Sequence, residues 1–81
     1  MGDLEQDAKL VLQTVADRDM DGYLLVKKTG LDVDSLANAV RLLKSKGLVN
    51  VKGEIDASRI LESWFQATPD ALRRAQFAQL L

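Results

Sequence analysis

The sequence predicts a small, mainly α-helical domain with one short β-hairpin. The chain has 81 residues, which is room for a single hydrophobic core and not for a second one. Apolar residues recur at the spacing of an α-helix in several stretches, and glycine, proline or capping residues separate these stretches. One stretch near Gly53 is instead short, β-rich and centred on a turn residue. We therefore expect one domain over residues 1–81.

The first predicted helix covers residues 4–16. Its apolar residues share one face, and Asp3 stands where a side chain can cap the first turn. Asp21 and Gly22 then interrupt the pattern. A short second helix follows in the stretch YLLVKKTG and ends at Gly30, a residue type that suits the left-handed conformation after a helix. The apolar residues of the first helix are Leu4, Ala8, Val11, Leu12 and Val15.

A third helix is predicted after a tight turn in the stretch LDVD, residues 31–34. Asp34 or Ser35 is expected to cap it, and two lysines lie at the end that the helix dipole makes favourable for positive charge. Gly47 ends the helix. One apolar stripe runs along it and consists of Leu36, Ala39, Val40 and Leu43.

The rest of the chain predicts a hairpin and two more helices. The stretches LVNV (residues 48–51) and EI (residues 54–55) are β-rich and flank a turn with a glycine, so we expect them to pair. Asp56 is expected to cap a fourth helix. Thr68 and Pro69 are the expected cap and first residue of the last helix. The apolar residues assigned to the fourth helix are Ile60, Leu61, Trp64 and Phe65.

The composition excludes several classes of function. The chain has no cysteine and no histidine, which rules out disulfides, the common zinc sites, thiol nucleophiles and imidazole acid–base catalysis. No apolar run approaches the roughly 20 residues that a bilayer requires, and the stretch MGDLEQDAKL is acidic where a signal peptide is basic. We expect a cytoplasmic protein that is not an enzyme, with no cofactor, no small-molecule substrate and no membrane partner.

Charge is unevenly distributed, although the net charge is only −1. Residues 1–23 contain six acids and two bases, whereas residues 24–52 contain six bases and two acids. Residues 53–81 contain four acids and three bases. The basic middle third indicates a surface that faces a polyanion on an otherwise acidic body.

The stretch DRDMDGYLLVKK, residues 17–28, begins like a calcium-binding EF-hand loop. Aspartates stand at loop positions one, three and five, and a glycine stands at position six, where the loop turns sharply. Position twelve needs a bidentate glutamate but holds Lys28, whose ammonium group repels a divalent cation. The residues that match the loop are Asp17, Asp19, Asp21 and Gly22.

EF-hands normally work in pairs, and the second candidate loop fits worse. Residues 48–59 place Leu48, Asn50 and Lys52 at the first three ligand positions and Arg59 at the last. Calcium binding is therefore only a minor alternative. We expect the aspartates to cap a helix and to form a solvated acidic helix end.

The middle of the chain, LLVKKTGLDVDSLANAVRLLKSKGLVNV (residues 24–51), resembles the core of a winged helix-turn-helix domain, as found in repressors of the multiple-antibiotic-resistance and arsenical-resistance types. In that family a helix ends in an L-A-x-x-x-G-L turn, a recognition helix follows, and K-G-L-V leads into a β-hairpin wing. The matching positions are Leu25, Val26, Gly30, Leu31, Leu36, Val40, Leu43, Lys46, Gly47, Leu48 and Val49.

The resemblance implies a winged helix-turn-helix fold with two additional C-terminal helices. Residues 1–56 would hold helix 1, the helix-turn-helix and a short wing, and residues 57–81 would hold the C-terminal helices.

The resemblance also implies binding to double-stranded DNA in transcriptional regulation. The recognition helix, about residues 34–46, would enter the major groove. There Ser35 would contact a phosphate, Asn38 an adenine edge, and Arg41 a guanine or a phosphate. Lysines would add phosphate contacts without sequence preference, although a lysine on a helix surface is often only solvated. The lysines concerned are Lys27, Lys28, Lys44 and Lys52.

A second candidate surface is apolar. Leu42 is expected on the exposed face of the recognition helix, and the C-terminal segment carries more apolar area than one small core needs. This area either completes the core, forms a homodimer interface suited to two DNA half-sites, or docks a larger partner. The rival function is therefore a winged helix that binds protein rather than DNA, as part of a larger protein. The residues expected on this surface are Leu42, Trp64, Phe77 and Leu81.

Overall fold

Helices and short strands alternate along the chain. The structure, a computed structural model, describes residues 4–75. Its elements are α1 (Leu4–Asp17), β1 (Met20–Asp21), α2 (Gly22–Thr29), α3 (Val33–Ser45), β2 (Val49–Lys52), a 3₁₀ turn (Ile60–Glu62), β3 (Trp64–Ala67) and α4 (Pro69–Ala75). The predicted class, mainly α with a small antiparallel β component, is confirmed. None of the helices within residues 4–75 combines the length and the apolar composition needed to cross a bilayer.

The hydrophobic core lies between α1 and α3, which pack together more extensively than any other pair of elements. Each helix buries one apolar stripe against the other, as the helical spacing predicts. Full burial of a large apolar side chain contributes about 1.5–3 kcal/mol, so these stripes account for much of the stability of the fold. The buried residues are Ala8, Val11, Leu12 and Val15 from α1, and Leu36, Ala37, Ala39, Val40 and Leu43 from α3.

The three strands form one antiparallel sheet in the order β1-β3-β2. Phe65 of β3 stands between Met20 of β1 and Val51 of β2, and its side chain is fully buried in the core. The next row faces outward because successive side chains alternate between the two faces of a strand. In that row Trp64 stands between Asp21 and Lys52.

Residues 53–63, which connect β2 to β3, fold back onto the body of the protein. The Ser63 hydroxyl, itself buried, donates a hydrogen bond to the Glu54 carbonyl at 2.6 Å. The Ile60 side chain is fully buried in the core. The Gly22 amide donates to the Ser63 carbonyl at 3.0 Å. The connection is therefore held at both of its ends and lies against the start of α2.

Both ends of α2 follow the predicted chemistry. Asp21 precedes the helix, and its side chain accepts a hydrogen bond from the Leu24 amide at 2.9 Å. Gly30 follows the helix in the left-handed conformation, with φ of 74°, and its amide donates to the Val26 carbonyl. These two predictions are confirmed. The sequence could predict them because each feature depends only on neighbouring residues.

The predicted cap of α3 is wrong by two or three residues. Asp32, not Asp34 or Ser35, caps the helix, and its side chain accepts from the Ser35 amide at 2.7 Å. The left-handed Gly30 already reverses the chain, so the helix can start at Val33.

Of the predicted N-terminal caps of α1 and α4, the described residues include only the cap of α4. Thr68 caps α4 as predicted, since its hydroxyl accepts from the Ala71 amide at 3.1 Å. Asp3, the predicted cap of α1, lies outside the described residues.

The predicted hairpin and fourth helix are wrong. β2 pairs with β3 and not with residues 54–55, and Trp64 and Phe65 belong to this strand rather than to a helix. The segment before β3 forms only the 3₁₀ turn. Strand pairing on both sides satisfies the backbone groups of β3, and this non-local interaction overrides the helical spacing of its apolar residues. Of the two predicted C-terminal helices, the described residues contain only α4.

The Gly22→Ala substitution tests how closely the β2–β3 connection lies against α2. A Cβ atom at residue 22 would collide with the Ile60 carbonyl and the Leu61 Cα, so we expect a loss of about 3 kcal/mol in the free energy of unfolding. Urea denaturation measures it.

Gly30→Ala is the matched control. It has no atom within 4 Å of the added methyl group but requires a left-handed alanine, which costs about 1–2 kcal/mol. Equal losses in the two variants would contradict the tight packing at Gly22.

Candidate nucleic-acid interface

The solvent face of α3 is a narrow polar stripe. Asp34, Asn38, Arg41 and Ser45 are all exposed, and their spacing places them on one side of the helix, opposite the core stripe. Lys44 is exposed beside them. Of the residues predicted on this helix to contact DNA, Asn38, Arg41 and Lys44 thus lie on its open surface.

Ser35 lies at the border of this face. It is half-buried and lines a shallow pocket of about 160 Å³ together with Leu4, Asp7 and Asn38. A DNA phosphate that binds the Ser35 hydroxyl would therefore approach the Asp7 carboxylate, and the two negative charges would repel each other.

The Arg41 side chain joins two parts of the candidate interface. Its guanidinium donates to Oδ1 of Asn38 at 3.2 Å and to the carbonyl of Ile55 at 3.4 Å. Ile55 belongs to the β2–β3 connection, whose inner side packs against the core. The exposed stripe of α3 and this connection are therefore neighbours on the surface.

Two carboxylates stand at the start of α3. Hydrogen bonds from Ser35, first from its backbone amide and then from its hydroxyl, hold the pKa of Asp32 below its ordinary value. Asp34 is exposed two residues further along. Both charges repel phosphate from the N-terminal end of the helix, so a polyanion would meet the helix toward Arg41 and Lys44.

The other predicted lysines are exposed on neighbouring elements. Lys27 and Lys28 occupy the last turn of α2, and Lys52 ends β2. The ion pair found among the described residues joins Arg73 and Asp70, so it does not involve these lysines. Their charges remain available to a ligand.

Arg59 is a candidate that the sequence prediction missed. It is exposed on the β2–β3 connection, which the predicted hairpin had ended at residue 55. The sequence signal that could have found it is the alternation of Trp64, which faces outward, and Phe65, which faces inward. This alternation is typical of a strand that begins at residue 64, so the connection before it runs to residue 63. Glu54, Asp56 and Glu62 share this connection, so Arg59 is its one cation.

The predicted apolar surface is only partly present. Leu42 is half-buried and packs against the core. The core-facing stripe of α3 is wide, and residue 42 lies at its edge. The prediction that Leu42 is exposed is wrong, and its role as a partner contact stays a prediction. Trp64 is 40% exposed, as a partner residue requires, but it stands on a strand. Phe77 and Leu81 lie outside the described residues.

The aspartates of the EF-hand-like stretch do not converge. Residues 20–21 form β1 and α2 begins at Gly22, so the stretch is not a loop. Asp21 caps α2, and Asp19 accepts from Nε2 of Gln66 at 3.1 Å. Within residues 4–75 no three histidine, cysteine or carboxylate side chains are grouped so that they could hold a metal ion.

Comparisons with protein-family models, with curated proteins and with solved structures found no match to this chain. The function of the surface is therefore inferred from its own geometry and charge.

The Asp32→Asn substitution tests the charge at the start of α3. Asparagine can accept the same amide hydrogen bond but lacks the charge that the helix dipole favours. Because the folded-state pKa of Asp32 is lowered, its ionised form stabilises the fold at neutral pH, and this contribution is lost as the pH falls through that pKa. We expect the difference in urea midpoint between the wild type and Asp32→Asn to be largest at neutral pH and to shrink as the pH falls through the lowered pKa of Asp32.

Asp34→Asn is the matched control, since it removes the same charge without touching the cap. A difference between wild type and Asp32→Asn that stays constant down to about pH 2 would contradict the role of the Asp32 charge.

Proposed function

We propose that the protein is a double-stranded DNA-binding module of the winged helix type that acts in transcriptional regulation. The observation that carries the proposal is the contact between Arg41 and the Ile55 carbonyl. It sets the exposed stripe of α3 beside the β2–β3 connection, which are the recognition helix and the wing of such a module. The element order, in which α2 and α3 follow β1 and precede the β2–β3 pair, supports the same interpretation.

The length of α3 suits a major groove. Its 13 residues extend about 20 Å at 1.5 Å per residue, and the groove is wide enough to admit a helix. The turn between α2 and α3 is short because Gly30 reverses the chain, which matches the short turn of a helix-turn-helix. The α3 stripe then faces the bases, and α2 lies behind it.

Asn38 and Arg41 form a pair of hydrogen-bond donors. Oδ1 of Asn38 accepts from Arg41, which leaves the amide NH₂ of Asn38 and the remaining N–H groups of Arg41 to donate. In the major groove guanine offers two acceptors, O6 and N7. The pair therefore fits a guanine-containing step better than the adenine edge predicted for Asn38 alone.

We expect phosphate contacts from exposed cations on α2, on α3 and on the β2–β3 pair. Lys44 lies on α3, Lys27 and Lys28 on α2, and Lys52 and Arg59 at the β2–β3 pair. Each phosphate neutralised releases condensed counterions, so affinity falls steeply with salt. The carboxylates of Asp32 and Asp34 bias the duplex toward the C-terminal half of α3.

The double substitution Asn38→Ala/Arg41→Ala tests groove recognition. We expect it to weaken binding to a pool of duplexes of about 20 base pairs by about five- to a hundredfold, because it removes two base-edge donors. Fluorescence anisotropy at about 50 mM and about 200 mM salt measures the affinity and its salt slope.

Lys9→Ala is the control, since it removes an exposed cation from α1, outside the interface. Wild-type binding that is absent at the lower salt concentration would refute the proposed function. Equal losses in Lys9→Ala and the double variant would show that only net charge matters.

Arg59→Ala tests the β2–β3 connection. Its exposed guanidinium is expected to contact a phosphate, so its loss should weaken binding by about two- to tenfold and reduce the salt slope by about one unit. The matched control is Arg18→Ala, which removes an exposed arginine between α1 and β1. An unchanged slope in Arg59→Ala would remove the connection from the interface.

A further inference from the structure

The outer face of the sheet is centred on an exposed aromatic ring. Trp64 is the single tryptophan of the chain, stands on the middle strand and is 40% exposed. Asp21 and Lys52 flank it in the same row, and Gln66 and Asn50 form the next outward row. A tryptophan that is 40% exposed at the centre of a polar sheet face leaves apolar surface in water, which is typical of an interaction site.

A second exposed aromatic residue follows β1, the strand at one edge of the sheet. Tyr23 is 62% exposed in the first turn of α2, two residues beyond Asp21. The hydrogen bond from the Gly22 amide to the Ser63 carbonyl, at 3.0 Å, ties this turn to the start of β3. Both ring-bearing segments are therefore fixed relative to each other.

Carboxylates are held in place around the tryptophan. Asp19 is fixed by Gln66 at 3.1 Å, and Asp21 is fixed by the Leu24 amide at 2.9 Å. The ion pair found among the described residues joins Arg73 and Asp70, so it involves neither of these carboxylates. We call the surface formed by Asp19, Asp21, Tyr23, Lys52, Trp64 and Gln66 the Trp64 face.

The charge of the Trp64 face decides which ligand suits it. The Trp64 face carries two carboxylates, those of Asp19 and Asp21, and one cation, Lys52. A phosphate backbone would be repelled by this surface, whereas a cationic side chain gains from the carboxylates and can stack on an exposed tryptophan or tyrosine ring. Positive charge on an extended ligand is thus the complementary feature.

We infer that the Trp64 face binds a basic segment of a partner protein, with an arginine or lysine side chain on the Trp64 ring and its charge near Asp19 and Asp21. This site is centred on the outer face of the sheet and not on the α3 stripe proposed to bind DNA, and Lys52 is the one residue that it shares with the proposed phosphate contacts. The module would then carry a nucleic-acid surface and a protein surface at the same time. The inference does not depend on the proposed DNA binding.

The emission of Trp64 reports on this site directly, because the chain has no other tryptophan. The probe is a pool of short peptides that carry arginine or lysine at alternate positions and contain no tyrosine or tryptophan. A matched pool carries glutamate and aspartate instead, and a short oligothymidylate tests single-stranded nucleic acid. We expect the basic pool alone to protect Trp64 from quenching by acrylamide.

The double variant Asp19→Asn/Asp21→Asn separates the face from overall charge. Asparagine can still cap α2 and can still accept from Gln66, so the fold is kept while two charges are lost. We expect the affinity for the basic pool to fall about fivefold or more. Asp7→Asn/Asp34→Asn removes two carboxylates from α1 and α3 and should leave the affinity within about twofold of wild type.

Four outcomes would overturn the inference. They are no protection of Trp64 by the basic pool, equal protection by the acidic pool or by oligothymidylate, equal loss in the two double variants, and protection that rises with protein concentration alone, which would identify a second copy as the occupant. Duplex binding measured on Asp19→Asn/Asp21→Asn keeps the two proposals apart. Loss of peptide binding with duplex binding intact supports the Trp64 face whatever the status of the α3 stripe.

Discussion

The position of β3 between β1 and β2 is the constraint on which the rest of the structure depends. Phe65 fills the core between Met20 and Val51, so one residue near the C-terminal end of the described chain closes contacts made by two earlier segments. Ser63, which directly precedes this strand, fixes the connection of residues 53–63 through its hydrogen bond to the Glu54 carbonyl. Without β3, Ile55 would not be held near Arg41, and Trp64 would have no flanking rows.

Local features of the fold could be predicted from the sequence, and non-local ones could not. α1, α2 and α4, the cap at Asp21 and the turn at Gly30 all follow from residues within a few positions of one another. β3 could not, because the apolar spacing of residues 60–65 also fits a helix and the partners of the strand lie far away in sequence. The cap of α3 was missed because the extent of the turn after Gly30 decides which of three polar residues precedes the helix.

The candidate interface shows the same division. Asn38, Arg41 and Lys44 could be placed on the open side of α3 from spacing alone, because the core stripe fixes the opposite side. Leu42 could not, since the flank of a stripe is buried or exposed according to what packs beside it. Arg59 was missed because its relation to α3 depends on where β3 begins. The contact of Arg41 with the Ile55 carbonyl likewise involves two residues that the sequence does not pair.

The pairing of β1 with β3 joins residues 20 and 65, and this long separation has a consequence for how the protein is made. During synthesis α1, α2 and α3 all leave the ribosome before β3, so a helical pair can begin to bury its stripes while the sheet cannot yet form. The docked connection and the Trp64 face then arise together, in one late step. A nascent or truncated chain that lacks β3 presents neither surface in its folded arrangement, so both proposed functions require completion of the fold.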